Sequence, residues 1–543
     1  MAIKMLAPSE IWADYNPMEQ PLNINKLDKR GNLEHFTFDA AIGGSPAPIY
    51  ARINKSKEGL ACLLIVGSFY NPTDESLIDS LVSEGYNVIE VDYTGIFQDS
   101  ATCYPPEFAY GNIAQAGEHL EKITESAFDT SLYLYAKVFR RAITFCQEIF
   151  GCAPLILMGI KEGADIAITV AGLDKRINGL ICLNGAAYSE YLSFNYHDPP
   201  VNLEKDEERM AYLMGVSSSA YTKLISCPTI AALGSNSKGV DMDRLANFLS
   251  LLPDKIQRVF TITPRAQDYI DNLSYNVIRS SLRNILNQEP LPSNPTIAEK
   301  LQEEALYFYI TERAGLKVKS VGIYIAFDEH NRRYRNFEYK SCEHAGVGEY
   351  IAAVDIADAK EDVLVFGEVV YEGDIRLATL PVYVKVEGLF KGASPQKRLL
   401  YSAADPEHTF AAQTELPVLF GEGIKANKNK LGLIELSSAT NDLITYEIGK
   451  TAYIKEGTLL QIELKTAGDN FIELILGEVK AGQLQEYRLE LEVAATGDTF
   501  EAYMIEANDC KDKKFIGLED FSMVKYIRLK GEGPFAIGNI ILI

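Results

Sequence analysis

The chain has 543 residues, of which 47% are hydrophobic and 23% are charged. This composition is typical of a soluble globular protein and excludes a fibrous or wholly disordered chain, and the length predicts two to four domains. The formal net charge of −23, from 52 Lys and Arg against 75 Asp and Glu, excludes a general attraction to nucleic acid or to an anionic membrane.

Cysteine usage and hydropathy predict a cytoplasmic protein. The 8 cysteines are scattered through apolar stretches without a CxxC pair, which favours reduced, buried thiols over disulfides or a zinc site. The N-terminal segment has no sustained apolar core, and no apolar run reaches about 18 residues, so the sequence predicts neither an export signal nor a membrane span. We therefore expect no metal, no cofactor, and neither a membrane nor a nucleic acid as partner.

The first part of the chain alternates strand-like and helix-like segments. Continuous apolar runs predict buried strands at 60–69, 87–95, 155–159, 178–185, 227–235 and 258–264. Helical spacing of apolar residues predicts helices at 74–86, at 131–151, from Glu162 onward and at 243–252. Strands that are apolar throughout and separated by helices predict an α/β domain, with a mostly parallel sheet covered by helices on both faces. We place this domain at 1–287, with an N-terminal extension at 1–50.

The pattern changes at the proline-rich segment NQEPLPSNPT. We predict a linker at 288–297, followed by one helix at 298–315. Short alternating strands then predict two all-β sandwiches. The first is immunoglobulin-like and completes the unit 298–390, and the second is jelly-roll-like and covers 394–543.

Three segments of the first domain together resemble the α/β-hydrolase superfamily, nearest in style to dienelactone hydrolases and acetyl-xylan-esterase-like proteins. They are the apolar strand that ends in Gly67, the stretch EGYNVIEVDYTG at 84–95, and the strand–turn–helix unit LILMGIKEG at 155–163. The last matches the glycine-flanked nucleophile turn of that superfamily. The resemblance covers about half the chain and implies a ligand cleft. The cleft residues that it implies are Gly67, Ser68, Gly159, Ile160, Lys161, Glu162, Gly163 and Gln267.

The catalytic positions that the resemblance implies are degenerate. Lys161 stands where the nucleophile belongs, and Gln267 and Asp268 stand where the histidine is expected, after the strand RVFTITP. None of the 6 histidines lies between His197 and His330. A hydroxyl nucleophile needs a general base to take its proton, so both the nucleophile and its usual base are missing.

The acid position is also altered. Asn236 follows the strand CPTIAALGS, where the resemblance implies an aspartate, and Asp241 comes a few residues later. One alternative is therefore an esterase or acyltransferase on acylated carbohydrate, with a non-standard site built around Lys161, Glu162, His197 or Asp241.

Lys161 itself has two interpretations. A desolvated amine with a lowered pKa would act as a Schiff-base nucleophile, but the neighbouring carboxylate of Glu162 favours the protonated form. We favour an ammonium group that faces solvent or pairs with a carboxylate over the cleft. His197 is interpreted as a surface loop residue and His119 as a helix residue that packs or caps. The adjacent Cys342, Glu343 and His344 lack the spacing of a structural zinc site.

The leading hypothesis is a catalytically inactive α/β-hydrolase-like protein that acts as a binding, scaffolding or self-assembling component, with a protein partner or a second copy of itself. The acidic run EKDEERMAYLMG at 204–215 is interpreted as a solvated helix start rather than a partner-binding patch. A further alternative is carbohydrate binding through 394–543. It has little support, because sugar sites favour exposed aromatic faces and the only tryptophan is Trp12.

Overall fold

The computed structural model describes most of the chain. The described residues are 3–120, 122–186, 207–237, 240, 242–302, 305–327, 335–355, 363–385, 398–404, 410–412, 424–429, 432–448, 452, 454–480 and 483–543.

A nine-stranded sheet forms the centre of the first domain. Its strands are β1 (Asn25–Arg30), β2 (Leu33–Asp39), β3 (Pro48–Asn54), β4 (Cys62–Val66), β5 (Asn87–Asp92), β6 (Leu155–Ile160), β7 (Gly179–Leu183), β8 (Thr229–Gly234) and β9 (Arg258–Thr263). Their order in space is β1-β2-β3-β5-β4-β6-β7-β8-β9. Pairing is antiparallel from β1 to β5 and parallel from β5 to β9. The predicted mostly parallel sheet is therefore observed, and the N-terminal extension supplies its antiparallel edge, which the sequence did not predict.

Helices cover both faces of this sheet. They are α1 (Pro8–Ile11), α2 (Glu75–Ser83), α3 (Ile113–Ala116), α4 (Ser131–Phe150), α5 (Glu162–Leu173), α6 (Glu207–Gly215), α7 (Ser219–Thr222), α8 (Met242–Leu251) and α9 (Asn272–Asn287). Along β4 the side chains alternate, so that Leu64 joins the apolar cluster of Phe139 in α4, while Leu63 joins that of Leu81 in α2 and Leu282 in α9. No helix in the described part of the chain is both long enough and apolar enough to cross a membrane.

The next unit consists of two antiparallel sheets. Its strands are β10 (Thr296–Gln302), β11 (Ala305–Thr311), β12 (Val318–Phe327), β13 (Glu338–Ser341), β14 (Glu343–Gly346), β15 (Glu349–Asp355), β16 (Val363–Tyr371), β17 (Ile375–Ala378) and β18 (Val382–Val384). One sheet has the order β10-β11-β15-β14 and the other β13-β12-β16-β17, with β18 also paired to β16. We call this unit the first β-rich unit.

The helix predicted at 298–315 is wrong, because strands β10 and β11 pair there as antiparallel neighbours. Leu306, Phe308 and Ile310 are buried at every second position of β11, so a period of two, not of 3.6, matches its apolar face. The predicted linker is also shorter than 288–297, since β10 already begins at Thr296.

Buried side chains of the first β-rich unit continue the core of the α/β domain. Val365 and Leu377 belong to the same apolar cluster as Ile278 of α9. Arg376 in β17 adds a buried ion pair to Glu368 in β16 and another to Asp271, at 2.6 Å in both cases. Asp271 also caps α9 by accepting from the backbone N–H of Ser274, so one carboxylate joins the two units.

The last unit, which we call the second β-rich unit, again has two antiparallel sheets. Its strands are β19 (Leu399–Tyr401), β20 (Phe410–Ala412), β21 (Ile424–Lys428), β22 (Ile434–Ser438), β23 (Asp442–Thr445), β24 (Leu460–Thr466), β25 (Asn470–Lys480), β26 (Gln483–Val493), β27 (Glu501–Ile505), β28 (Val524–Gly531) and β29 (Phe535–Leu542). The sheet orders are β21-β22-β29-β24-β27, with β19 beside β29, and β20-β23-β28-β25-β26. The predicted boundary between 390 and 394 lies outside the described residues.

Candidate functional site

The turn between β6 and α5 has the geometry of a nucleophile turn. We call residues 159–163 the elbow. Lys161 lies at its apex with φ 52° and ψ −123°, a conformation that costs a non-glycine residue of the order of 1–3 kcal/mol. A Cβ on Gly163 would overlap the carbonyl oxygens of Val66 and Gly67, at the end of β4. The elbow therefore keeps a glycine where α5 passes close to the neighbouring strand.

Lys161 forms an ion pair across the carboxyl ends of the strands. Its Nζ lies 3.1 Å from Oδ2 of Asp268, in the loop after β9, and the two side chains are 17% and 8% exposed. The hydroxyl of Ser237 lies 3.4 Å from the other oxygen of Asp268. The position that the resemblance assigns to a serine and the loop that it assigns to a histidine are thus joined by an ammonium and a carboxylate.

The side chain of Glu162 bridges the elbow and the loop after β4. The hydroxyl of Ser68 donates to its Oε2 at 2.8 Å. In enzymes with a glycine-flanked nucleophile turn, the oxyanion is bound by the backbone N–H of the residue after the nucleophile and by an N–H from a loop that follows a neighbouring strand. The corresponding residue here is Glu162, and the corresponding loop is that of Ser68, after β4. A carboxylate therefore lies beside the place where a developing oxyanion would need positive charge.

The buried side chain of Tyr93 holds the loop after β4 in place. Its hydroxyl donates to the carbonyl oxygen of Gly67 at 2.6 Å. Burial, together with Tyr135 and Glu162, raises its pKa well above the usual value, so the phenol keeps its proton and remains a donor. Gly67 and Ser68 are thereby held in one arrangement.

Both β-rich units contact the loops on which an active hydrolase would carry its acid and base. Gln267 donates through Nε2 to the hydroxyl of Tyr446 in the second β-rich unit, at 2.9 Å. Asn236 donates through Nδ2 to the carbonyl oxygen of Arg335, in the first β-rich unit, also at 2.9 Å. Asn236 is fully buried and Gln267 is 7% exposed. The structure thus covers the part of the expected cleft that these two residues would line.

Two of the remaining candidate histidines are described, and neither contacts the elbow in any hydrogen bond or ring contact of the described part of the chain. His197 and Asp241 lie outside the described residues. His119 stacks on Tyr110, and His344 stands edge-on to Tyr350 in the first β-rich unit. In the described part of the chain, no three His, Cys, Asp or Glu side chains come together in a way that would hold a metal.

Tyrosines that could stack on a sugar are mostly packed inside the second β-rich unit. Tyr446, Tyr487 and Tyr526 are 3%, 5% and 4% exposed. Tyr446 stands edge-on to Tyr526, and the hydroxyl of Tyr487 donates to Glu478 at 3.0 Å. These three side chains therefore do not offer the exposed flat face that a pyranose ring requires.

Sequence reasoning missed the two pairings that define the site. It located Asp268 in the loop where the resemblance implies a histidine. It did not predict that Asp268 pairs with Lys161, which lies 107 positions away in the sequence. It named Ser68 and Glu162 as cleft residues without pairing them. A possible signal was the opposite charge of the two residues, a lysine at the apex of the elbow and an aspartate in the loop after β9.

Comparison with known proteins gives partial similarity to esterases. No protein-family model and no curated protein matches the chain. Among solved structures, acetyl xylan esterase 1 from Thermoanaerobacterium sp. JW/SL YS485 is 15% identical, with 53% of this chain and 96% of that chain covered and a TM-score of 0.38. Acetyl xylan esterase from Paenibacillus sp. R4 is 13% identical, with 50% and 90% covered and a TM-score of 0.36. The esterase domain of a Rhodothermus marinus protein is 15% identical, with 43% and 88% covered and a TM-score of 0.30.

Proposed function

We propose that this chain is a catalytically inactive α/β-hydrolase-like protein that acts as a binding, scaffolding or self-assembling component. The observation that carries the proposal is the ion pair between Lys161 and Asp268, which joins the residue that the resemblance assigns to the nucleophile position and the loop that it assigns to the base. As part of the same proposal, the two β-rich units are an immunoglobulin-like and a jelly-roll-like sandwich, which their paired antiparallel sheets support.

Charge at the site supports this proposal. Acyl transfer needs a nucleophile that gives up a proton and a site that stabilises negative charge on the substrate oxygen. The amine of Lys161 is engaged with the carboxylate of Asp268 at 3.1 Å, so it is not aimed at a substrate carbonyl as a free nucleophile. The carboxylate of Glu162, bonded to Ser68, opposes a second negative charge beside it.

The cover over the cleft is a second support. The loop of Gln267 is held by Tyr446, and Ile424 of β21 packs against Ala266 and Tyr269 in the same loop. A substrate that approached this loop would have to displace those contacts. The α/β domain is better suited to hold the β-rich units in a fixed arrangement than to turn over a substrate.

Ester hydrolysis tests the proposal. Purified full-length protein is incubated with p-nitrophenyl acetate, propionate and butyrate, beside Lys161→Ala and, as a matched surface control, Lys317→Ala. We expect all three proteins to hydrolyse these esters no faster than an inert protein at equal mass. Turnover by the wild type that Lys161→Ala removes and Lys317→Ala retains would contradict the inactive role.

One contact favours an esterase as the second candidate. The hydroxyl of Ser68 donates to Oε2 of Glu162 at 2.8 Å, which is the distance expected of a nucleophile and its general base. In this alternative Ser68 attacks the ester carbonyl while Glu162 takes its proton and returns it to the departing alcohol, and water then hydrolyses the acyl group from Ser68. Loss of turnover in Ser68→Ala, and in Glu162→Gln, would support it. Equal turnover in Ser68→Ala and wild type would exclude it.

A further inference from the structure

Residues 511–517 of the second β-rich unit form a rigid loop with an apolar tip, which we call the apolar loop. Phe515 and Ile516 at its tip are 86% and 58% exposed. The backbone N–H of Asp512 donates to the carbonyl oxygen of Ile516 at 2.9 Å, and its carboxylate accepts from the backbone N–H groups of Lys514 and Ile516. Large apolar side chains held out in solvent on an ordered loop mark an interaction surface.

Phe515 is also held in an unfavourable backbone conformation. Its φ of 61° lies in the left-handed region, which glycine adopts freely and phenylalanine avoids. An exposed aromatic ring contributes little to the fold, so folding alone does not account for a strained, non-glycine residue here. Strain of this kind is typical of functional positions.

Charge beside the tip is positive. Lys513 and Lys514 are exposed, whereas the carboxylate of Asp512 is engaged within the loop and with Nε2 of Gln485 at 2.8 Å. Backbone hydrogen bonds hold the pKa of Asp512 below its usual value. The apolar loop therefore presents two ammonium groups around an aromatic and an aliphatic side chain.

A surface of the α/β domain has the complementary character. Met210 and Met214 are 40% and 41% exposed and lie four residues apart in α6, on one face of the helix. Phe128, 39% exposed, belongs to the turn Ala127–Asp129, which packs against α6. Glu207 and Glu208 stand in the first turn of the helix. We call Phe128, Glu207, Glu208, Met210 and Met214 the α6 patch. The last four lie in the run 204–215, which the sequence alone predicts to be a solvated helix start; the exposed methionines are the reason to consider it a contact surface instead.

We infer that the apolar loop of one copy binds the α6 patch of a second copy. Methionine side chains adapt to an inserted ring, and the lysines at the loop face carboxylates on the patch. Because the chain carries a net charge of −23, two copies repel unless a basic surface brings them together, and the loop supplies one. Loop and patch lie on different domains, so the contact is head-to-tail and extends into chains unless the rotation closes a ring.

Sedimentation velocity of the full-length protein tests the inference over a range of concentrations. We expect the weight-average mass of the wild type to rise with concentration and to fall when salt is added. Phe515→Gly is expected to weaken association at least tenfold while melting no lower than wild type, because glycine fits the left-handed backbone. Leu316→Ser, which changes an apolar residue of a different loop that is 42% exposed, is expected to associate like wild type.

A charge exchange assigns the contact to these two surfaces. Lys513→Glu with Lys514→Glu, and separately Glu207→Lys with Glu208→Lys, are each expected to weaken association at least tenfold. A mixture of the two variant proteins is expected to associate again, because each supplies the charge that the other lost. Mixing without recovery would overturn the assignment.

Three other outcomes would overturn the inference. The first is a wild type that stays monomeric across the range, and the second is a Phe515→Gly protein that associates as tightly as wild type. The third is co-sedimentation with phosphatidylserine vesicles that Phe515→Gly loses, which would assign the apolar loop to a membrane. The inference rests on the proposed assembling role, but ester turnover by the wild type would refute the inactive role while leaving these sedimentation results unchanged.

Discussion

Removing the ammonium group of Lys161 is expected to destabilise the α/β domain through Asp268. With Nζ and Oδ2 3.1 Å apart, the Coulomb attraction is about 5 kcal/mol at an effective dielectric constant of about 20. Desolvation of both groups offsets more than half of this, which leaves a coupling energy of about 2 kcal/mol. Lys161→Ala, which removes the cation beside a buried carboxylate, should therefore lower the free energy of unfolding by about 3 kcal/mol.

Backbone strain at the same residue gives an independent comparison. Lys161→Gly loses the same ion pair, but glycine adopts φ 52° and ψ −123° without the penalty that alanine retains. We expect Lys161→Gly to be about 1 kcal/mol more stable than Lys161→Ala. The difference between these two variants measures the strain stored in the elbow, less the extra backbone entropy that glycine loses on folding.

Urea denaturation followed by tryptophan fluorescence measures both quantities. Trp12 is the only tryptophan of the chain and is 8% exposed in the core of the α/β domain, so its emission reports on that domain. A double-mutant cycle combines Lys161→Ala with Asp268→Asn. The matched control is the pair of Lys317 and Glu372, whose side chains are 77% and 59% exposed and whose coupling should stay below about 0.5 kcal/mol.

The reasoning would be refuted by a coupling energy below about 0.5 kcal/mol at Lys161 and Asp268, since the control pair shows what an exposed ion pair supplies. It would also fail if Lys161→Gly were no more stable than Lys161→Ala. In either case the lysine would not be explained by its ion pair, and a chemical role for it would regain support.

Three further predictions concern packing and charge. Arg141 donates five hydrogen bonds to backbone carbonyl oxygens of the N-terminal segment and of Asp39, so Arg141→Met should cost about 4 kcal/mol; a loss below about 1 kcal/mol in the same urea assay would contradict this. Gly163→Ala should cost about 2–3 kcal/mol through overlap with the end of β4, whereas Gly468→Ala, with open space around it, should be near neutral. Lys55, with Lys26 and Lys29, lowers the pKa of Glu34 to about 2. Because this folded-state pKa lies below the ordinary 4.5, the stability that Glu34→Gln loses at neutral pH should vanish as pH falls from 4.5 toward 2. A difference in free energy of unfolding that does not change with pH would refute this prediction.

The α/β half of the fold could be predicted because its strands are apolar throughout. The segments 155–159 and 227–235 form strands that have a neighbour on each side in the sheet, are buried throughout and have no competing periodicity. The antiparallel edge was harder to predict, because β1 reads as the polar sequence NKLDKR. Its pairing with β2 is long-range information that a local pattern does not carry.

The error at 298–315 has a similar origin. AEKLQEEAL contains strong helix formers such as Glu, Lys and Leu, and local propensity therefore favoured a helix. The following YFYIT alternates on a period of two, and burial of Phe308 and Ile310 against the neighbouring sheet decided the outcome. Tertiary packing outweighed helix propensity, as it does when a strand buries one aromatic face.

The candidate site was predictable in its backbone but not in its contacts. Gly159 and Gly163 predict the elbow because α5 must pass close to β4 and β6. The hydrogen bond from Gln267 to Tyr446 spans 179 positions, and no local signal at either residue indicates it. Sequence spacing identifies turns that need glycine, whereas the partner of a polar side chain depends on how separate units dock.

The loop at 264–271 is where the three parts of the chain meet. Its Asp268 pairs with the elbow, its Gln267 bonds to the second β-rich unit, and its Asp271 pairs with Arg376 of the first. In an active hydrolase this loop would carry the histidine and would need freedom to admit a substrate. Here Gln267 and Asp271 bind the two β-rich units, and Asp268 binds the elbow. A histidine introduced into this loop could therefore act at the elbow only if those contacts were released.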